Sequence, residues 1–145
     1  MLSQYLKDNV HFMDTISAWE EAIRVAAQPL LEKDWITEKY IQDMIDNVNT
    51  NGPYIVVASG IAMPHAKNKG GVLKTGISFL KLKEPVPFPE GKEVSILFVL
   101  AAENSTGHLG LISDMSSLLI DDDIMTSFRN VSSETELIEL IKMVE

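Results

Sequence analysis

A histidine preceded by proline, in Gly60-Ile61-Ala62-Met63-Pro64-His65-Ala66, is the residue of this chain best suited to chemistry. Imidazole changes protonation near neutral pH and can also act as a nucleophile. Pro64 fixes its own φ and holds Met63 extended, so His65 is offered from a stiff, non-helical backbone. A histidine held that way can accept a group from one protein and hand it to another. The same seven residues also fit an ordinary turn histidine, and the choice rests on what surrounds them.

The chain has 3 histidines, the others being His11 and His108. His11, in Val10-His11-Phe12, is read as part of a strand or strand edge with no function. His108 ends the loop Asn104-Ser105-Thr106-Gly107 where a helix is predicted to begin. Free backbone N–H groups at a helix start, with the hydroxyls of Ser105 and Thr106, make a natural anion site. Taken alone, His108 also fits a simple capping-region residue. Yet His65 and His108 both closely follow predicted strands, and loops beyond strand ends are where sites assemble in α/β proteins. Two imidazoles plus helix-start donors suit a phosphoryl group that is transferred and not hydrolysed.

Other chemistries fit less well. Zinc would want a third ligand, and none lies at helical spacing from either histidine. A Ser-His-Asp triad stays open on composition, but no Gly-x-Ser-x-Gly elbow occurs. Neither a Walker A sequence nor a Gly-x-Gly-x-x-Gly fingerprint is present, so no nucleotide cofactor and no metal are expected. Gly70-Gly71 reads as a turn, and Asp121-Asp122-Asp123 as a solvated helix-capping face.

The elements that must position these histidines are visible in the hydrophobic pattern. Ser17 with Glu20 is a capping-box pattern opening a helix to about Leu31, with Pro29 kinking it or marking its last turn. Thr37 is the predicted N-cap of a second helix, where Ile41, Met44, Ile45 and Val48 follow helical spacing and Asn51-Gly52-Pro53 ends the run. Tyr54–Ala58 and Gly76–Leu82 read as strands, the segment with Pro85, Pro87 and Pro89 as an irregular connection or an edge, and Val94–Ala102 as a central strand covered on both faces. A stripe of Leu109, Ile112, Met115, Leu118 and Leu119, a short helix near Asp121–Asp123 and a capped helix from Ser133 follow. The expected class is α/β: a single-domain sandwich over residues 1–145, helices packed on a sheet.

Composition narrows the partners. At 145 residues with 46% hydrophobic content the chain can bury a substantial core, and no repeat or linker divides it. It has no cysteine, which removes disulfides and thiolate chemistry and is compatible with a reducing compartment. Leu2–Asp8 lacks the basic and apolar regions of a signal peptide, and the longest apolar runs are too short to span a bilayer. A cytoplasmic protein is expected. Its 12 Lys and Arg against 21 Asp and Glu give a net charge of -9, which disfavours nucleic acid as a partner.

Three segments together carry a resemblance that covers essentially the whole chain. Gly60-Ile61-Ala62-Met63-Pro64-His65, Val72-Leu73-Lys74-Thr75-Gly76, and Ala101-Ala102 with Asn104 to Leu109 resemble the mannitol/fructose-type IIA component of the bacterial phosphoenolpyruvate-dependent sugar phosphotransferase system. The resemblance implies a mixed β-sheet flanked by helices. It implies that His65 receives a phosphoryl group from phospho-HPr and passes it to a IIB component, itself with a cysteine nucleophile. IIB in turn serves a membrane IIC component that imports the solute. It also implies that His108 helps hold the phosphoryl group and neutralise its charge.

Mannitol-type members carry an arginine sixteen residues before the phosphorylated histidine, where this chain has Asn49. Asparagine donates a hydrogen bond but brings no charge, which leaves Lys67 or Lys69 as compensating cations. Gly52-Pro53-Tyr54 running into the Met-Pro-His segment resembles the ascorbate-type branch, so L-ascorbate or a related sugar acid is the expected solute. The rival readings are a mannitol, fructose or galactitol IIA, a regulatory phosphorylation module, and a binding protein without phosphoryl chemistry.

Overall fold

The computed structural model describes residues 2–145, and its centre is the predicted apolar strand. In chain order the elements are α1 (Leu2–Leu6), β1 (Val10–Met13), α2 (Trp19–Glu32), α3 (Glu38–Asn51), β2 (Val56–Ala58), β3 (Gly60–Ala62), β4 (Gly76–Phe88), β5 (Lys92–Ala101), α4 (Ser105–Leu119), α5 (Asp122–Asn130) and α6 (Glu134–Val144). The five strands form one sheet in the order β1-β4-β5-β3-β2. β1 runs parallel to β4 and β3 parallel to β5, whereas β4–β5 and β2–β3 are antiparallel, so the sheet is mixed.

β5 is buried on both faces because helices cover both sides. Leu97, Val99 and Ala101 point into a core shared with α2 and α3, including Ile23, Leu30, Ile41 and Met44. Ile96, Phe98 and Leu100 point the other way, into a core with Leu6, Met115, Phe128 and Ile141. Val94 breaks this alternation by joining the α2/α3 side. The pairing explains why: Gly60 faces Val94 but Ile61 faces Ile96, so Ser95 is an extra residue that reverses the phase.

Several local readings are revised. α2 begins at Trp19 after Ala18 with no side-chain cap, so Ser17 does not open it; Glu20 and Glu21 instead place negative charge in its first turn. Pro29 lies in its last turn. Thr37 does precede α3, but its N–H and hydroxyl both donate to the Gly71 carbonyl, tying the helix start to the loop after His65. Tyr54 and Ile55 form a turn, and the predicted strand shrinks to Val56–Ala58, paired in a tight hairpin with Gly60–Ala62. The proline segment is strand: β4 continues through Pro85 and Pro87 after an irregularity between Lys81 and Val86. β1 flanks β4 only as far as Leu82, so most of that segment is an edge and tolerates residues without an N–H.

α4 starts at Ser105, earlier than the Leu109 stripe implies, and Leu109 itself is 67% exposed. Asp121 caps α5 by accepting from the N–H groups of Asp123 and Ile124, and Ser133 caps α6 by accepting from Glu136. Among the described residues, no helix is long and apolar enough to cross a membrane.

Candidate active site

Parallel pairing of β3 with β5 brings the two histidines together. The C-terminal ends of neighbouring parallel strands lie at the same edge of a sheet. Beyond β3 the chain runs Met63-Pro64-His65, and beyond β5 it runs Ala102-Glu103-Asn104 into α4, which carries His108 in its first turns. The imidazole centroids are 5.4 Å apart, with 57° between the ring planes.

The His65 segment is fastened on all sides. Met63 N–H donates to the Ile55 carbonyl, and the Pro64 carbonyl accepts from Leu100 N–H, extending the β3–β5 ladder past its formal end. Ala66 N–H donates to the Tyr40 hydroxyl at 3.1 Å, and that hydroxyl donates to the Leu100 carbonyl at 2.5 Å. Tyr40 is fully buried, and burial holds its phenol far above its usual pKa. It is a fixed neutral bridge between α3, the loop after His65 and β5.

Within this frame the His65 ring has a defined tautomer. Nδ1 lies 2.6 Å from the Met63 carbonyl oxygen. A carbonyl oxygen can only accept, so Nδ1 carries the proton and Nε2 keeps its lone pair. Burial pushes the His65 pKa below the ordinary imidazole value; the Met63 hydrogen bond opposes that shift and the nearby His108 adds to it. His108 is lowered by burial alone. Both shifts favour the neutral ring, and a neutral Nε2 is the form that attacks an electrophile.

The His108 side is ordered differently. Asn104 caps α4, its side-chain oxygen accepting from Gly107 N–H at 2.8 Å. The N–H groups of Ser105 and Thr106, the first two of the helix, have no intrahelical acceptor and stay available to an anion. Glu103 holds this helix start to the rest of the site. Its N–H donates to the Thr75 hydroxyl, its carboxylate accepts from Thr75 N–H, and its carbonyl accepts from Asn68. Asn68 in turn accepts from Gly70 and Val72 N–H groups, closing the loop that follows His65.

Of the candidate residues, His65, His108, Ser105 and Thr106 converge on this edge of the sheet. Asn49 does not join them: it is exposed on α3 and makes no side-chain hydrogen bond to either histidine. The α3 residue that reaches the site is Asn47, whose Nδ2 donates to the Tyr54 hydroxyl at 2.6 Å and extends to within 3.5 Å of the His65 carbonyl. Lys67 and Lys69 line a neighbouring cleft of about 420 Å³ together with Asp43 and Asp46, so carboxylates share the space the lysines face. Neither arginine is at the site, Arg24 binding Glu38 and Gln42, and Arg129 the Ser59 carbonyl. Tyr40, Asn47 and Asn68 have no part in the sequence reading, and Tyr54 enters it only through the Tyr54–Ala58 strand and Gly52-Pro53-Tyr54, without a place at the site. Of the three, Tyr40 carries a sequence signal, as a phenol in register with the buried Met44 and Val48, where its hydroxyl would need a partner.

An imidazole with a bare Nε2 at a strand end, beside a second imidazole and a capped helix start, is an arrangement suited to group transfer. Residues 4–144 match the family described as phosphoenolpyruvate-dependent sugar phosphotransferase system, EIIA 2. The chain belongs to that family, whose members carry phosphate between components of the system. It is 37% identical over 142 residues to the mannitol-specific cryptic phosphotransferase enzyme IIA component of Escherichia coli (strain K12), covering 97% of each chain. It is 34% identical over 126 residues to the ascorbate-specific EIIA component of the same organism, covering 85% of this chain and 82% of that one. Among solved structures, the complex of enzyme IIA-mannitol with phosphorylated enzyme IIB-mannitol from Escherichia coli matches with a TM-score of 0.81 at 27% identity, over 94% of this chain and 95% of that one.

Proposed function

We propose that this protein is a cytoplasmic phosphoryl carrier that accepts phosphate from phospho-HPr on Nε2 of His65 and passes it to a IIB component during solute uptake through a membrane IIC. The observation that carries the reading is the Nδ1–H bond to Met63, which leaves Nε2 bare beside His108.

The Nε2 lone pair attacks the phosphorus of the donor phosphohistidine in line, a new N–P bond forms at His65, and the donor's P–N bond breaks with its electron pair returning to the donor ring. Nδ1 keeps its proton on the Met63 carbonyl throughout, so no proton need be moved for the attack. The arriving phosphoryl group is anionic, and no arginine stands at the site to meet it. His108 and the N–H groups of Ser105 and Thr106 face that charge, and the anion raises the affinity of His108 for a proton. A nucleophile on IIB then attacks the same phosphorus, and the P–Nε2 bond breaks with its electron pair returning to the His65 ring. The complex of relatives with phosphorylated IIB supports IIB as the acceptor. Incubation with phosphoenolpyruvate, enzyme I and HPr, followed by mapping of acid-labile phosphate, tests the assignment; labelling of a His65→Ala variant would sink it.

For the solute, Asn49 and Gly52-Pro53-Tyr54 favour L-ascorbate or a related sugar acid. The 37% identity to the mannitol-specific cryptic component supports a polyol as the second reading. Presenting the phosphorylated protein to IIB proteins of the two specificities separates them, since only the cognate IIB is labelled at a rapid rate.

A further inference from the structure

We propose that Tyr54 is a positioning residue for phosphoryl transfer at His65, holding the imidazole by ring contact and, through Asn47, bracing the His65 backbone. The inference rests on the phosphoryl-carrier reading above.

Tyr54 sits in the turn after α3, and 47% of its surface is exposed. An aromatic side chain left in solvent at a turn calls for a reason, and its surroundings supply one. Its ring meets the His65 ring nearly perpendicularly, at 86° with centroids 5.8 Å apart. His65 is thus flanked by Tyr54 on one side and His108 on another. Such an edge-to-face contact is worth up to about tenfold in an equilibrium.

The hydroxyl makes the second connection. It accepts from Asn47 Nδ2 at 2.6 Å, and the same amide nitrogen is 3.5 Å from the His65 carbonyl. Asn47 Oδ1 accepts from Asn51 at 2.8 Å, which fixes the amide orientation. Every polar group of Asn47 is therefore engaged. The Nδ1–Met63 bond restrains one ring atom, and the Tyr54 ring contact restrains the imidazole at a second place. Since burial is the main cause of the low His65 pKa, Tyr54 also helps keep the nucleophile neutral. The other groups near the ring are His108 and, in the adjoining cleft, Asp43, Asp46, Lys67 and Lys69.

Two variants separate this role from simple docking. In Tyr54→Ala, nitrogen-15 spectra of the unphosphorylated protein should show His65 titrating at higher pH than in the wild type, with a smaller share of the Nδ1–H tautomer. Its maximal rate of labelling by phospho-HPr should fall about tenfold, with the KM for phospho-HPr little changed. Tyr54→Phe keeps the ring and should restore the titration and all but about threefold of the rate. A Tyr54→Ala protein with unchanged His65 titration and tautomer overturns the proposal, as does a loss confined to KM. A wild-type protein that takes no label counts against the carrier reading instead. The spectra need no phosphoryl donor and decide the role of Tyr54 either way.

Discussion

His65 and His108 are neighbours built by opposite means. His65 stands on a non-helical segment whose backbone is bonded to Ile55, Leu100 and Tyr40, and its own ring nitrogen is pinned to Met63. His108 stands on a helix, its backbone N–H spent on the Asn104 carbonyl, and its ring makes no side-chain hydrogen bond among the described residues. One imidazole is held by a bond to its own Nδ1; the other has both ring nitrogens without a hydrogen bond among the described residues, open to a proton. That division fits a nucleophile that must present the same nitrogen to two partners, and a helper that must respond to charge appearing and leaving.

The largest effect should come from removing the pinned ring. His65→Ala should take no phosphate from phospho-HPr, measured by incorporation of labelled phosphate, while circular dichroism stays that of a folded protein. His108→Ala should also fold, but with transfer slowed about a hundredfold, the scale of losing one preorganised stabilising group. Equal losses in the two variants would erase the distinction between nucleophile and helper.

Tyr40→Phe attacks the framework and not the chemistry. It leaves the Leu100 carbonyl and Ala66 N–H without their buried partner, and should cost about 1–3 kcal/mol in a denaturant titration. Transfer should slow as the segment loosens, but not vanish.

The smallest effect is the pH dependence. Burial depresses the pKa of both histidines in the folded protein, so as pH falls through about 6.5 the unfolded chain binds protons first. Their contribution to stability is present above that pH and is lost as the pH falls toward the folded values. Labelling rates should be flat between about pH 7 and 8 and decline only in acid, as Nε2 becomes protonated. Phosphorylation should raise the His108 pKa, because the anion beside it favours the imidazolium.

Much of this arrangement was legible in residue order. The helical spacing of Ile41, Met44 and Val48 and the apolar run into β5 each report a local preference, and each corresponds to an element in place; the Pro-His step lies just beyond β3. What escaped depends on pairing between distant segments. The β2–β3 hairpin is three residues a side, too short for a period, and bends at Gly60 with φ of 80°. The start of α4 is hidden because Ser105-Thr106-Gly107 carries no apolar signal, and the Asn104 cap that begins it is a geometric fact. Asn49 stands out in the sequence by its distance along the chain from His65. Asn47 lies two residues earlier, about 200° away around the helix, and that rotation decides which side chain meets the site.

The most direct test of the account is the ring nitrogen that carries phosphate. After incubation with phosphoenolpyruvate, enzyme I and HPr, phosphorus–nitrogen couplings in the nitrogen-15-labelled protein should place the phosphoryl group on Nε2 of His65, with Nδ1 still protonated. Phosphate on Nδ1, or on any residue other than His65, would contradict it.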